Sequence, residues 1–324
     1  MKLEFEDGLC EEVVDQDLRE GSLAGDLRLA ALFREASDGI YRTVPLKRRD
    51  SAFQALFQKL FRSLGYRDRL EHILQEMRGF GPLPVRISFR RAFHAEEEGA
   101  QLSEDRAMLG IRIRAATLRD EGRCAYFLGH ELTHIQDLLD PLFAADPTSA
   151  LSDASPVEDH LLRDRYRTLW DLSVDGRLDR RKRLPEGVRE RRAAEFQALF
   201  PSLGAEWAER AFEAIWSAPR PSDAGFRRMA EGAAALCAAL GLPAHEVSES
   251  PGGVSYRPGA ACPLCRFTTF EWAEPTPALA QAVQAEFPAW HPSRGICTQC
   301  GNRYLLGAAF APRASTLRTQ DWRA

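Results

Sequence analysis

The stretch CAYFLGHELTHIQDLLDP, residues 124–141, sets two histidines and a glutamate inside an apolar run that ends at a proline. At 3.6 residues per turn, His130 and His134 stand about 40° apart on one face of a helix, so both imidazoles can reach one ion. Leu128, Leu132, Ile135 and Leu139 form a stripe on the roughly opposite face, where a core would lie. Packing does not require the histidines, so H-E-x-x-H reads as a metal site rather than as two hydrogen-bonded core residues. Zinc accepts neutral imidazole nitrogen and, in a catalytic site, keeps a position open for water, whose pKa falls towards ~7. Glu131, beside the first histidine, is then the general base that takes the water's proton.

Two histidines leave the site incomplete, and the next acidic stripe lies in LLRDRYRTLWDLSVDGRLDRR, residues 161–181. Asp171, Asp175 and Asp179 recur every four residues between Leu172, Val174 and Leu178, which is not the pattern of a freely solvated face. Stacked carboxylates repel, and a metal with the N–H groups of its histidine ligands would supply the missing partners. Asp175, central in the stripe, is the expected third ligand, with Asp179 orienting an imidazole and Asp171 in reserve. The competing assignment pairs these acids with Arg163, Arg167, Arg177 or Arg180. Asp137, three residues after His134, is expected to hydrogen-bond a ligand and not to ligate. Gly129 and Gly176 mark places where helices approach closely.

A second metal pattern stands near the C-terminus. Cys262 and Cys265 in CPLC and Cys297 and Cys300 in CTQCG give two C-x-x-C knuckles, the Cys₄ arrangement of a structural zinc ribbon. Four thiolates close the coordination sphere, so this zinc stabilises and does not catalyse. PALAQAVQAEFPAW between the knuckles reads as an inserted helix, and Phe267, Phe270 and Trp272 read as the small core. Cys124 and Cys237 read as core residues, while Cys10 could reach the catalytic zinc as an inhibitory thiolate.

Elsewhere, apolar residues recur at helical spacing over 22–37, over a helix pair from Ser51 to about Met77, and over 157–182, 187–200, 204–217 and 223–240. Ser51 and Gln54 resemble a capping box. PVRISF, residues 84–89, and AMLGIRIRA, residues 107–115, alternate apolar residues with arginine as half-buried strands do. The charged run RRKRLPEGVRERR, residues 180–192, reads as a solvated helix face. The expected fold is therefore α+β, a small sheet packed on the H-E-x-x-H helix in a mostly helical domain, followed by a small zinc ribbon. Its divisions are a helical region over 1–82, the catalytic domain over 83–240, a Gly/Pro/Ser-rich linker over 241–257, the ribbon over 258–310 and a tail over 311–324.

Lysine and arginine number 43 against 47 acids, so no overall positive field draws the chain to nucleic acid or anionic lipid. Nucleic acid would have to be met through the ribbon. The acidic N-terminus lacks the apolar core of a signal peptide, no run has a membrane span's length, and seven cysteines are too few for a disulfide scaffold. The expected location is the cytoplasm.

With HELTH in place, the chain resembles zincin metallopeptidases of the gluzincin-like type, in which H-E-x-x-H on one helix is completed by an acid on the next. AMLGIRIRA is similar to the zincin strand that precedes the active-site helix and receives extended substrate along its edge. LWDLSVDGRLD resembles the W-N-x-x-x-D-x-x-x-N stretch of bacterial metallopeptidase-like proteins encoded with von Willebrand factor A domains. That resemblance implies Asp175 as third ligand, although this chain offers D-x-x-x-D twice, at 171/175 and at 175/179, where gluzincins proper have E-x-x-x-D. It implies peptide hydrolysis with one catalytic and one structural zinc. Two other functions fit the same motifs: a SprT-like protease acting on DNA-associated proteins, and a non-catalytic zincin scaffold that binds a partner.

Overall fold

The structure, a computed structural model, describes residues 2–23, 27–143, 156–219, 222–243, 260–265, 267–288 and 290–310. These fall into two compact units, the larger holding the described residues up to 143 and from 162 to 243, the smaller holding residues 156–161 and those around the cysteine pairs. The expected tail and nearly all of the expected linker lie outside the described residues.

The larger unit opens with strand β1 (Lys2–Phe5), then helices α1 (Asp7–Leu23), α2 (Arg28–Thr43), α3 (Arg49–Ser63) and α4 (Tyr66–Arg78). The expected helix over 22–37 covers the end of α1 and the first part of α2, with residues 24–26 outside the described residues. The first turn of α3 begins ahead of Ser51, whose hydroxyl donates to the Arg48 carbonyl instead of capping. Gly65, at φ 82°, supplies the left-handed residue that separates α3 from α4.

Strands β2 (Arg86–Arg91), β3 (Gly99–Leu102) and β4 (Met108–Ile113) complete a sheet of order β1-β2-β4-β3. The first three of that order are parallel and β3 is antiparallel to β4. Residues 108–113 therefore form an inner strand: β3, which alternation alone did not reveal, covers the side expected to be a free edge. Ile87, Phe89, Leu109, Ile111 and Ile113 on the sheet share one core with Leu9, Val13 and Val14 of α1 and Leu70, Leu74 and Met77 of α4.

A short helix α5 (Ala115–Arg119) leads into α6 (Glu121–Leu139), the H-E-x-x-H helix. The Asp120 carboxylate caps it by accepting from the Arg123 amide at 2.9 Å. Leu128 and Leu132 are fully buried, as the apolar stripe requires, but Thr133, Gln136 and Asp137 are buried as well. The Gln136 amide donates to the carbonyls of Met77 and Gly81, so this helix is enclosed on nearly every side.

Helix α7 (Pro156–Arg180) carries the acidic stripe, followed by α8 (Val188–Leu199), α9 (Ala205–Ser217), α10 (Asp223–Ala230) and α11 (Ala233–Ala239). The periodicity over 223–240 thus belongs to two helices divided near Gly232. A Cβ on Gly176 would collide with the Trp216 carbonyl, so this glycine serves the packing of α7 against the end of α9 and not against α6. Gly129 is the one facing across the α6–α7 seam, with Leu178 3.4 Å from where its Cβ would stand.

In the smaller unit, β5 (Ala260–Ala261) and β6 (Thr268–Thr269) pair antiparallel around the first knuckle, and α12 (Pro277–Glu286) and α13 (Thr298–Phe310) follow. Thr276 caps α12, and Pro277 occupies its first turn, where a missing N–H costs nothing. Leu279, Val283, Trp290 and Ile296 pack with Cys262 and Cys297 into the core. Phe267 and Phe270 are not in it: both are more than 70% exposed, since so small a unit fills its interior with the inserted helix and Trp290. Among the described residues no helix is long and apolar enough to cross a membrane.

Candidate metal centres

Helices α6 and α7 run antiparallel, so residues pair across them in opposite order. His130 is level with Asp175, His134 with Asp171, and Asp137 with Trp170. This register decides what each acid does.

The Nε2 atoms of His130 and His134 lie 3.2 Å apart. Asp171 Oδ1 stands 3.1 Å from the second and 3.5 Å from the first. Three lone-pair-bearing atoms thus converge on one point, a set able to hold a metal ion. His130, His134 and Asp171 supply it, whereas Asp175 was the expected ligand. The Asp175 carboxylate instead meets the far side of the first ring, with Oδ1 2.8 Å from His130 Nδ1. An Nδ1–H donated there leaves Nε2 as a lone pair facing the other two ligand atoms. Asp175 therefore does the orienting expected of Asp179. Asp179 accepts from Trp216 Nε1 at 2.9 Å and faces Arg189, away from the histidines.

Asp137 is fully buried and accepts from Trp170 Nε1 at 2.8 Å and from both terminal nitrogens of Arg177 at 2.6–2.7 Å. Its influence on the ligands passes through the Trp170 ring, which stands edge-on to His134 with centroids 4.4 Å apart. Two further residues of the site were not foreseen. Tyr126 donates to both oxygens of Asp175 at 3.2 Å; burial and the Asp175 charge push its phenol up to about 12, which keeps it a donor. It sits one turn before His130, so the helical wheel carried that signal. Arg192 on α8 reaches Asp171 and Asp175 together. Nothing in its charged surroundings distinguished it from a solvated residue, and none of the four arginines expected as partners takes this place.

The electrostatics favour a cation. Burial alone would lower the His130 pKa, but its hydrogen bonds to Asp171 and Asp175 raise it to about 9. Burial likewise opposes ionisation of both aspartates, yet the histidines hold Asp171 well below the usual carboxylate range, and His130 and the Arg192 guanidinium lower Asp175. The carboxylates that hold a proton on His130 would also attract a metal ion, which must displace that proton to bind.

Glu131 lies on the side of α6 facing the sheet edge, where its Oε2 accepts from the Ala100 amide of β3 at 2.9 Å. Tyr166 and Arg167 on α7 offer nothing to the cluster: the Tyr166 hydroxyl donates to Asp223 and Arg167 is exposed. Cys10 is buried in the sheet-side core with its thiol pushed up to about 12 by desolvation, which rules out the inhibitory thiolate. Cys124 and Cys237 are core residues as expected.

In the smaller unit the four Sγ atoms of Cys262, Cys265, Cys297 and Cys300 all lie within 4.8 Å of one another. The Cys265 and Cys297 sulfurs are 3.8 Å apart, and the Cys297 and Cys300 amides point at Sγ atoms at 3.4 Å. Burial raises the Cys262 thiol pKa, but such backbone amides outweigh it and lower the value to about 7, favouring the thiolate. Gly301 follows the last ligand because a Cβ there would press on Ala273.

No family model, curated protein or solved structure matches the chain. The two clusters alone therefore bear on what it does.

Proposed function

We propose that this protein is a zinc-dependent metallopeptidase of zincin type, with catalytic zinc on His130, His134 and Asp171 and structural zinc on the four cysteines. The observation that carries the reading is the triangle of ligand atoms, with edges of 3.1, 3.2 and 3.5 Å. Tetrahedral zinc with bonds of about 2.0–2.1 Å needs edges of about 3.3 Å, and with thiolate bonds of about 2.3 Å needs about 3.8 Å. The Cys265–Cys297 separation of 3.8 Å meets the second requirement.

Zinc bound there would supply a water acidified towards ~7 and a Lewis acid for the substrate carbonyl. The chain's own residues would do the rest. Glu131 accepts the proton of the attacking water and passes it to the departing amine. Asp175 and Tyr126 hold the His130 ring, and Trp170 backs the ring of His134. Edge strand β3, whose Ala100 amide points at Glu131, is where an extended peptide could pair, which moves that role from residues 108–113 to residues 99–102. A carboxylate in the third position supports the gluzincin-like reading over a SprT-like one, for which a third histidine is expected.

The test combines metal content with a substitution. The parent chain should carry two zinc ions, and Glu131→Gln should keep both while peptide hydrolysis falls roughly 100- to 10,000-fold. Hydrolysis that persists in Glu131→Gln would sink the mechanism. No cleavage by the parent across a broad peptide library would favour a binding scaffold.

A further inference from the structure

We propose that Arg192 is the positioning residue that aims the carboxylate ligand of the catalytic metal, an inference that rests on the metal reading of His130, His134 and Asp171. Arg192 comes from α8, outside both ligand helices, and its side chain is only 12% exposed. Its Nε donates to Asp175 Oδ2 at 2.7 Å, and its Nη1 stands 3.1 Å from Asp171 Oδ2 and 2.8 Å from Glu195 Oε2. Each aspartate thus gives one oxygen to the guanidinium and keeps Oδ1 for the histidines, at His130 Nδ1 for Asp175 and at both Nε2 atoms for Asp171. The planar fork fixes both carboxylates at once, which a single ammonium charge on a flexible stem does less well.

Two effects of Arg192 on metal binding have opposite signs. Its charge repels an incoming cation, so its removal could tighten binding. Its hydrogen bonds keep two buried carboxylates of α7, one turn apart, aimed; without them one would turn away and cease to ligate or to orient His130. The second effect should win, because the guanidinium's charge is already spent on the carboxylates between it and the ligand triangle.

Zinc affinity of the full chain, measured by chelator competition, decides the sign, with the Cys₄ zinc as internal control. Arg192→Gln should weaken the His₂Asp zinc roughly 10- to 100-fold, the range for groups that orient metal ligands, and leave the Cys₄ zinc unchanged. Arg192→Lys keeps the charge and loses the fork; it should fold and bind more weakly than the parent but better than Arg192→Gln. A merely structural role would lower the melting temperature of the metal-free chain without changing zinc affinity in the folded variants. Parent-like or tighter zinc binding by either folded variant overturns the inference alone. A parent that takes up zinc only at the cysteines overturns the metal reading and this inference with it.

Discussion

The two clusters solve the same problem by different means. In the smaller unit, each pair of cysteines comes from a knuckle a few residues long; the Cys297 and Cys300 amides point at sulfurs, and Gly301 closes the second knuckle where a Cβ would press on Ala273. The local sequence builds each half. In the larger unit, the candidate ligands come from two antiparallel helices, and a third helix supplies a guanidinium that touches one of them. Here the site exists only once the helices are docked in register. The cysteine cluster offers four sulfurs, while the cluster built across helices offers three atoms, with Glu131 beside it at the sheet edge.

The largest effect that tests this contrast is at the ribbon. If the cysteines hold zinc as proposed, Cys297→Ser should remove it, with an apparent binding energy on the order of 10 kcal/mol, and unfold the smaller unit. Zinc content would fall from two to one while the melting transition of the larger unit stays in place. Simultaneous loss of both metals would erase the distinction between the two sites.

Next in size is the comparison of Asp171 with Asp175. Asp171→Ala should abolish binding of the His₂Asp zinc, whereas Asp175→Asn should weaken it roughly 10- to 100-fold by freeing the His130 ring. The reverse order in a zinc titration would return the ligand role to Asp175.

The smallest effects concern the helix seams. Gly176→Ala drives a methyl into the Trp216 carbonyl and should destabilise the larger unit by about 1–3 kcal/mol. Gly129→Ala, whose new methyl meets only Leu178 at ordinary contact distance, should be neutral or stabilise by up to about 1 kcal/mol through helix propensity. Denaturant melts of the two variants would show whether α7 is held more tightly against α9 than against α6.

Several elements were legible in advance: α6, α8, α9, β2 and β4 fall close to where the sequence pattern puts them. Strand β3 was not, because Gly99–Leu102 is short, begins with glycine and carries too few apolar residues to alternate. Helix α1 was hidden by its charge, although Leu9, Cys10, Val13 and Val14 bury one face completely. The charged run up to Arg192 looked solvated, since composition cannot say which of several arginines turns inward.

By itself the sequence determined the ligand types and their local spacing: two imidazoles one turn apart with a glutamate between them, two cysteine knuckles, and a stripe of aspartates on a later helix. Helical geometry and short loops fix such spacings without reference to the rest of the chain. Only the tertiary structure decided which aspartate stands beside the two Nε2 atoms, which one meets His130 Nδ1 and which arginine holds both. Acids four residues apart share one helix face equally, and a helix's own period cannot say which turn of its antiparallel neighbour lies opposite.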